Sequence, residues 1–342
     1  MNLFDTFVGI DDIMAHKDYK HIFKQLCNTL LYEKGSMVLG IKLMWGLIHK
    51  HLSNSRLPYV YIKHVLNPTD KQDVVLMYCL LKDLWSLPPA NPNTSSQLYI
   101  KIHEALHLYG KFCYHIIFPY LCTKLSLAKQ LEHLSAAVHL LLALYVHKDT
   151  RSHFIPTPLF VNIGIVVKNA FFCITKVKLD HLVASFFLVL LSTNQLKMLF
   201  GILCTIVGND ANLNILQLAL RVTMITEVSN ILAKHLDWDK SLYCLHLPAV
   251  TKSIDVVLNS TDHIGLQVYL HPERLYPSGL TLATPWKCRW QLVKEKYHWA
   301  LPILHRISTT WNATILALFR MSLIIEHLIE EGDTNDRDWE EF

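Results

Sequence analysis

Two long apolar stretches without a charged residue limit what this chain can fold into. They run from Ser152 to Val167 and from His181 to Leu196, with histidine taken as neutral, and each is 16 residues long. A helix that crosses a membrane needs roughly 18 or more such residues. Hydrophobic residues make up 51% of the chain. We therefore expect both stretches to be buried core elements and the protein to have no membrane-spanning segment.

Apolar side chains recur every three or four residues through much of the chain, which is the pattern of a packed α-helix. This pattern predicts helices at 72–84, 98–109, 130–147, 215–233 and 310–328. Strand signals are fewer and shorter. Alternating or continuous apolar residues predict strands at 59–65, 185–191 and 266–270.

Charge is distributed unevenly along the chain. The formal net charge is +4, but residues 330–342 contain seven acidic side chains and one arginine, so the rest of the chain carries +10. This basic excess is compatible with a polyanionic partner, and we expect the acidic segment to be a solvated, disordered tail.

The eight cysteines stand singly among apolar residues, without a CxxC pair, which is typical of reduced cysteines in an intracellular protein.

One segment has the spacing of a zinc site. His103, Glu104 and His107 form an HExxH sequence, which on a helix places the two histidines one turn apart and leaves the glutamate as a general base. Because the chain has 20 histidines, the same spacing also arises by chance on a polar helix face. A zinc-dependent hydrolase and an ordinary helix face are both kept as interpretations.

Basic and aromatic residues are interleaved near the end of the chain. The segment contains four basic and three aromatic side chains: Lys287, Arg289, Lys294, Lys296, Trp286, Trp290 and Tyr297. Basic groups of this kind can bind a phosphate backbone while aromatic rings stack on bases. The alternative is an amphipathic basic helix that a tryptophan anchors in the core.

A short segment near residue 20 has a recognisable order of polar residues. An aspartate at a predicted helix start is followed by three polar residues at helical spacing: Asp18, His21, Lys24 and Asn28. An aspartate in this position is also a common helix N-cap, because its carboxylate accepts a hydrogen bond from a free backbone N–H. Both interpretations of Asp18 stay open.

A second such segment begins with Asn194, continues through Lys197, Phe200 and Gly201, and is followed by an asparagine-rich turn at 208–212. The two segments and their order resemble P-element-type (THAP-related) DNA transposases, which carry their second and third catalytic acids in such segments. By this resemblance Asp18 takes the position of the second acid. Lys197 takes the position of the third, where the family has glutamate, and Asn194 stands where an aspartate is usual.

The resemblance implies both an activity and its loss. Transposases of this family use three carboxylates to hold divalent cations that activate water for phosphoryl transfer, and a lysine cannot ligate Mg²⁺. Only seventeen residues precede Asp18, so we expect the first acid and the family's N-terminal zinc module to be missing too. We therefore expect a catalytically inactive transposase derivative without a cofactor, which would bind Mg²⁺ only if activity remained.

The resemblance also implies a fold that is mainly α, in which a helical insertion domain is attached to an incomplete RNase H-like α/β fragment. The expected segments are the fragment at 1–65, the insertion domain at 66–192, returning helices at 193–246, a basic C-terminal region at 247–329 and the tail at 330–342. Phrases such as Glu132-His133-Leu134-Ser135 and Glu227-Val228-Ser229-Asn230 are similar to those of fungal transposon-derived proteins.

The expected partners are DNA and other proteins, and the oligomeric state is left open. An intracellular location is expected, in the nucleus if DNA binding is retained. Two functions from other classes remain as alternatives: the zinc-dependent hydrolase, and a helical protein-interaction scaffold without a nucleic-acid role.

Overall fold

A computed structural model describes residues 17–55, 57–66, 74–93, 95–122, 124–149, 153–180, 185–205, 214–235, 276–277, 280 and 283–309. In this part of the chain there are eleven α-helices and one two-stranded sheet. The helices are α1 (Tyr19–Leu31), α2 (Trp45–Ser53), α3 (Tyr59–Leu66), α4 (Val74–Trp85), α5 (Gln97–Leu121), α6 (Leu127–Val146), α7 (Thr157–Asp180), α8 (Asn194–Thr205), α9 (Ile215–Lys234), α10 (Ala283–Lys296) and α11 (Leu301–Thr309), and the strands are β1 (Ser36–Val38) and β2 (Ile41–Leu43). The prediction of a mainly α fold is confirmed.

Four of the five helices predicted from apolar periodicity are confirmed as α4, α5, α6 and α9. Two of them begin at serine N-caps, where the hydroxyl oxygen accepts a hydrogen bond from a backbone N–H that the helix leaves unpaired. Ser96 accepts from the nitrogen of Tyr99 at 3.2 Å, and Ser126 accepts from that of Lys129 at 3.4 Å. The fifth predicted helix, 310–328, lies outside the described residues.

The strand predicted at 59–65 is wrong, because this segment is helix α3. Tyr59 and Val60, which contributed to the strand pattern, are 66% and 78% exposed. The side chains that α3 buries are Ile62, Val65 and Leu66, and their spacing of three and four residues is helical. The strand predicted at 185–191 is also wrong, since a short 3₁₀ helix spans Leu188–Leu190. The strand predicted at 266–270 lies outside the described residues.

The sheet is a hairpin in a segment that apolar alternation did not mark. Its antiparallel strands are three residues long and are joined by Leu39 and Gly40, whose φ angles of 49° and 80° are both positive. Positive φ at both central residues is the geometry of a tight hairpin turn. Strands this short give no period long enough to detect in the sequence.

The described helices fall into two compact units, each described here by itself. Described residues of 1–188 and 269–342 form the first unit, which holds α1 to α7, α10 and α11, and those of 189–268 form the second, which holds α8 and α9. In the first unit α1 packs against α4, α5 and α7. The predicted fragment at 1–65 and the predicted insertion domain therefore contribute to one core, and the five predicted segments stay a prediction as domains.

Helices α4, α5 and α6 form the centre of this core. Tyr109, Phe112 and Tyr120 of α5 are fully buried. Gly110 lets α4 approach closely, because a Cβ atom at this position would lie 2.6 Å from the backbone nitrogen of Trp85. The seven cysteines in the described part of the chain are free, as predicted for a reduced protein. Three are buried (Cys27, Cys113 and Cys122), and Cys288 is exposed.

Helix α7 contains most of the apolar stretch that ends at Val167. Its inner face is buried through Leu159, Phe160 and Ile163, as expected of a core element. Among the described helices it is the one long and apolar enough to cross a membrane, and 56% of its most apolar 18-residue window is buried inside the protein. Core helices of water-soluble proteins also meet this criterion. The absence of a membrane-spanning segment therefore stays a prediction.

Candidate nucleic-acid interface

Helix α10, which carries the four predicted phosphate-binding residues, packs on α6 through two tryptophans. Trp286 is buried, and its ring lies 4.3 Å from that of His139, which is fully buried on α6. The ring of Trp290 lies 5.0 Å from that of the same histidine. Trp286 therefore anchors α10 in the core, which is the geometry of the amphipathic basic helix, and is too buried to stack on a base.

The four basic side chains of α10 have different surroundings. Arg289 binds Glu132 of α6 through two hydrogen bonds, of 2.6 Å from Nη2 and 3.1 Å from Nε, and the two side chains are only 17% and 15% exposed. Lys294 lies over the ring of Trp290, with its Nζ atom 5.6 Å from the centroid. Lys287 and Lys296 are exposed. Arg289 therefore fixes the helix, and the lysines are the groups left to meet an anion.

Helix α5 brings three further groups toward this region. His107, Lys111 and His115 follow one another at four-residue spacing, so they lie on one face of the helix. His115 meets His133 of α6, with the two Nδ1 atoms 3.1 Å apart, and Lys111 Nζ lies 5.3 Å from the centre of the Tyr114 ring. Lys111 and His115 are not among the residues predicted from the sequence, although the four-residue spacing of His103 and His107 continues into both of them.

We call His107, Lys111 and His115 of α5, with Arg289 and Lys296 of α10, the basic cluster. Burial and then the nearby charge of Lys296 lower the pKa of Lys111. The pKa of His107 is lowered by burial first and then by Lys111, His103 and Lys296. Burial also lowers the pKa of His115 well below its usual value, with His133, Arg289, Lys296 and Lys111 adding to the effect. Positive charges from two helices therefore converge on one region.

The HExxH residues are separated by their surroundings. His103 is buried, and its Nε2 atom lies 2.7 Å from the carbonyl oxygen of Pro88 while its Nδ1 atom lies 3.2 Å from Nδ1 of His51. Since a carbonyl can only accept, Nε2 of His103 carries the proton and its Nδ1 accepts from His51. Glu104 is exposed, and His107 belongs to the basic cluster. Both ring nitrogens of His103 therefore have protein partners, and a zinc ion would have to displace one of them.

The four residues of the first transposase-like segment lie at the start of the chain's described part, on or just before α1. Asp18 is the N-cap of this helix, and its Oδ1 atom accepts from the backbone nitrogen of Lys20 at 2.9 Å. Asp18 and Lys24 are buried, Asn28 is half-buried, and His21 is exposed. The N-cap interpretation of Asp18 is confirmed. Its interpretation as the remnant of a second catalytic acid stays a prediction.

The second transposase-like segment lies in the other compact unit. Asn194 is the first residue of α8, and Lys197 is exposed in the first turn of this helix, where its backbone nitrogen donates to the carbonyl oxygen of Thr193 at 2.9 Å. The asparagine-rich turn at 208–212 lies outside the described residues, as does the end of the predicted returning-helix segment at 236–246.

Within the described ranges, no group of three or more histidine, cysteine, aspartate or glutamate side chains is arranged to hold a metal ion. Comparison with protein-family models, with curated proteins and with solved structures finds no match for the chain. The basic cluster and the lysines of α10 are therefore the arrangement that says most about what the chain can bind.

Proposed function

We propose that this chain is a transposase-derived protein that binds DNA without cutting it, and that α10 provides the contact. The observation that carries the binding part is the docking of α10. The Trp286 anchor and the Arg289–Glu132 pair hold the helix on α6, while Lys287 and Lys296 remain exposed.

A rigidly held basic helix suits phosphate binding for a physical reason. Long lysine side chains lose conformational freedom when they bind, but a backbone that is already ordered adds no further entropic cost. Arg289 contributes indirectly, because its charge is already neutralised by Glu132 at 2.6 Å. The net positive charge of the chain outside its acidic end favours association with a polyanion over long distances.

The absence of cutting is proposed from chemistry at residue 197. A two-metal phosphoryl transfer needs carboxylates that hold the cations, whereas the exposed residue at the position of the family's third acid is Lys197. Its ammonium group would repel a divalent cation. Asp18, which caps α1, would be the remaining acid of the proposed degenerate site.

The proposal includes the finer fold assignment. Residues 1–65 would be the incomplete RNase H-like fragment, to which the β1–β2 hairpin contributes a short antiparallel sheet. Residues 66–192 would be the helical insertion domain. The support is the order of the two transposase-like segments, one before and one after the long helices α5, α6 and α7.

A gel-shift assay with duplex DNA tests the binding part. Changing Lys287, Lys294 and Lys296 together to glutamine should weaken binding and flatten its dependence on salt, by about one unit of slope for each phosphate contact that is lost. The matched control changes three exposed lysines of the same unit, Lys34, Lys42 and Lys63, so that the net charge falls equally. Equal weakening in both triple variants would show only a general charge effect and would refute the role of α10.

A further inference from the structure

The basic cluster contains two lysines on different helices without a carboxylate partner. Neither Lys111 nor Lys296 forms an ion pair within the described part of the chain. Each lies near an aromatic ring instead, Lys111 with its Nζ atom 5.3 Å from the centre of Tyr114 and Lys296 with its Nζ atom 5.8 Å from that of Tyr297. Lys111 is half-buried, whereas Lys296 is exposed.

Two contacts that cross between helices align these lysines. Arg289 of α10 reaches Glu132 of α6, and the next residue of α6, His133, meets His115 of α5 at 3.1 Å. The Arg289 side of α10 therefore lies beside His115. His139 of α6 meets Trp290 and His147 meets Trp299, so α10 runs in the direction of α6, while α5, which a short loop joins to α6, runs opposite to both. Lys296, two turns beyond Arg289, and Lys111, one turn before His115, therefore lie on the same side of these contacts.

This arrangement costs electrostatic energy in the protein alone. Burial, followed by the charge of Lys296, lowers the pKa of Lys111, and Lys296 also contributes to the lowered pKa of both His107 and His115. Glu132 of α6, which lies beside Arg289, already pairs with it and with Lys129 at 2.9 Å. The electrostatic energy of two like charges held together in this way becomes favourable when an anion lies between them.

We propose that Lys111 and Lys296 bind one phosphate group between α5 and α10, with His107 at its edge. This inference deepens the proposed function and rests on it for the source of the phosphate, which is then a phosphodiester of the DNA backbone. Phosphate is the fitting anion because it presents several acceptor oxygens around one centre, so that two ammonium groups from different helices can contact it together.

The experiment uses the full chain with Lys111→Gln, Lys296→Gln and the double variant. Lys101→Gln, exposed on the same helix α5, is the control. One measurement is the rise in Tm with inorganic pyrophosphate relative to sodium chloride at equal ionic strength. The other is the salt dependence of duplex DNA binding. The wild type and Lys101→Gln should respond to pyrophosphate, and the other variants should lose most of that response.

In the DNA assay the slope of log K against log salt should fall by about one unit in each single variant and by about one unit in the double variant, because all three lose the same phosphate. A loss of about two units in the double variant would mean two separate phosphates and would overturn the shared site. Unchanged slopes in both single variants would also overturn it, while DNA binding by the wild type would leave the proposed function standing.

The pyrophosphate arm separates the two sources of phosphate. A pyrophosphate response that requires both lysines, in a chain that does not bind DNA, would support the site with a free phosphate as its ligand and refute the proposed function. No response in either assay would overturn both the shared phosphate site and the proposed DNA binding.

Two controls exclude misfolding as the cause of a lost response. Lys111→Arg should keep the response to pyrophosphate. Lys111→Gln should be at least as stable as the wild type without phosphate, because it removes the repulsion between the two lysines.

Discussion

Replacing His139 with leucine is expected to make the chain less sensitive to acid. This histidine is fully buried on α6 between Trp286 and Trp290. Burial lowers its pKa to about 3 from a usual value of 6.5. In the described part of the chain neither ring nitrogen has a hydrogen-bond partner, so the neutral ring is held by packing and the charged ring is strongly disfavoured.

The direction of the pH effect follows from proton binding. Between pH 6.5 and 3 the unfolded chain binds a proton at residue 139 while the folded chain does not, so the free energy of unfolding falls as the pH falls. The loss approaches about 1.4 kcal/mol per pH unit, which amounts to about 2 kcal/mol between pH 7.5 and pH 5. Burial first, and then nearby positive charges, lower the pKa values of His51 and His133 to about 4, so these two histidines act in the same direction. A loss of about 2 kcal/mol at residue 139 is already a large part of the 5–15 kcal/mol that stabilises a typical folded domain.

Urea unfolding followed by far-UV circular dichroism at pH 7.5, 6 and 5 measures this effect. The stability of His139→Leu relative to the wild type should rise by about 2 kcal/mol from pH 7.5 to pH 5. His64→Leu, at an exposed position on α3, is the control and should show no such rise. A constant difference between His139→Leu and the wild type at all three pH values would refute the argument, whatever the size of that difference.

Other changes test the packing and the site assignments. Gly110→Ala should lower stability by about 1–3 kcal/mol in thermal denaturation, because its Cβ would meet the backbone of α4, whereas Gly46→Ala, with open space around it, should be neutral or stabilising. Asp18→Ala should cost about 1 kcal/mol in urea unfolding through the lost N-cap, and Asp18→Asn should keep most of that stability. Glu132→Gln should tighten DNA binding in the gel-shift assay, because it frees the charge of its arginine partner; weaker binding by a folded variant would contradict the role of charge. Purified wild type should contain less than stoichiometric zinc by atomic absorption, and stoichiometric zinc that His103→Ala removes would revive the hydrolase alternative.

Helices α5 and α6 were predictable from the sequence because each one buries a continuous face. The period of three and four residues is strong in α5 and α6, whose inner positions are almost all apolar. Apolar alternation misled at α3, which is eight residues long, because so short a helix with two exposed apolar residues at its start also fits an alternating strand.

The candidate site was less predictable, because it depends on which helices meet. The sequence marked Lys287, Arg289, Lys294 and Lys296 as one basic group, but it could not show that Glu132, 157 residues away, neutralises one of them. Nor could it place Lys111 near Lys296, since the two are brought together by α6 and not by their own spacing. The N-cap role of Asp18 is local and was predictable from its position before α1.

The most direct test of the central claim is a gel assay of the purified chain with supercoiled plasmid in Mn²⁺ at low and moderate salt, in which band shift and nicking are scored together. A DNA-binding protein without transposase chemistry should give a shift that weakens with salt and no nicking. Nicking that disappears in Asp18→Ala would contradict the account, because it would mean that other acids complete a working site. Absence of a shift at any salt concentration would refute the proposed DNA binding.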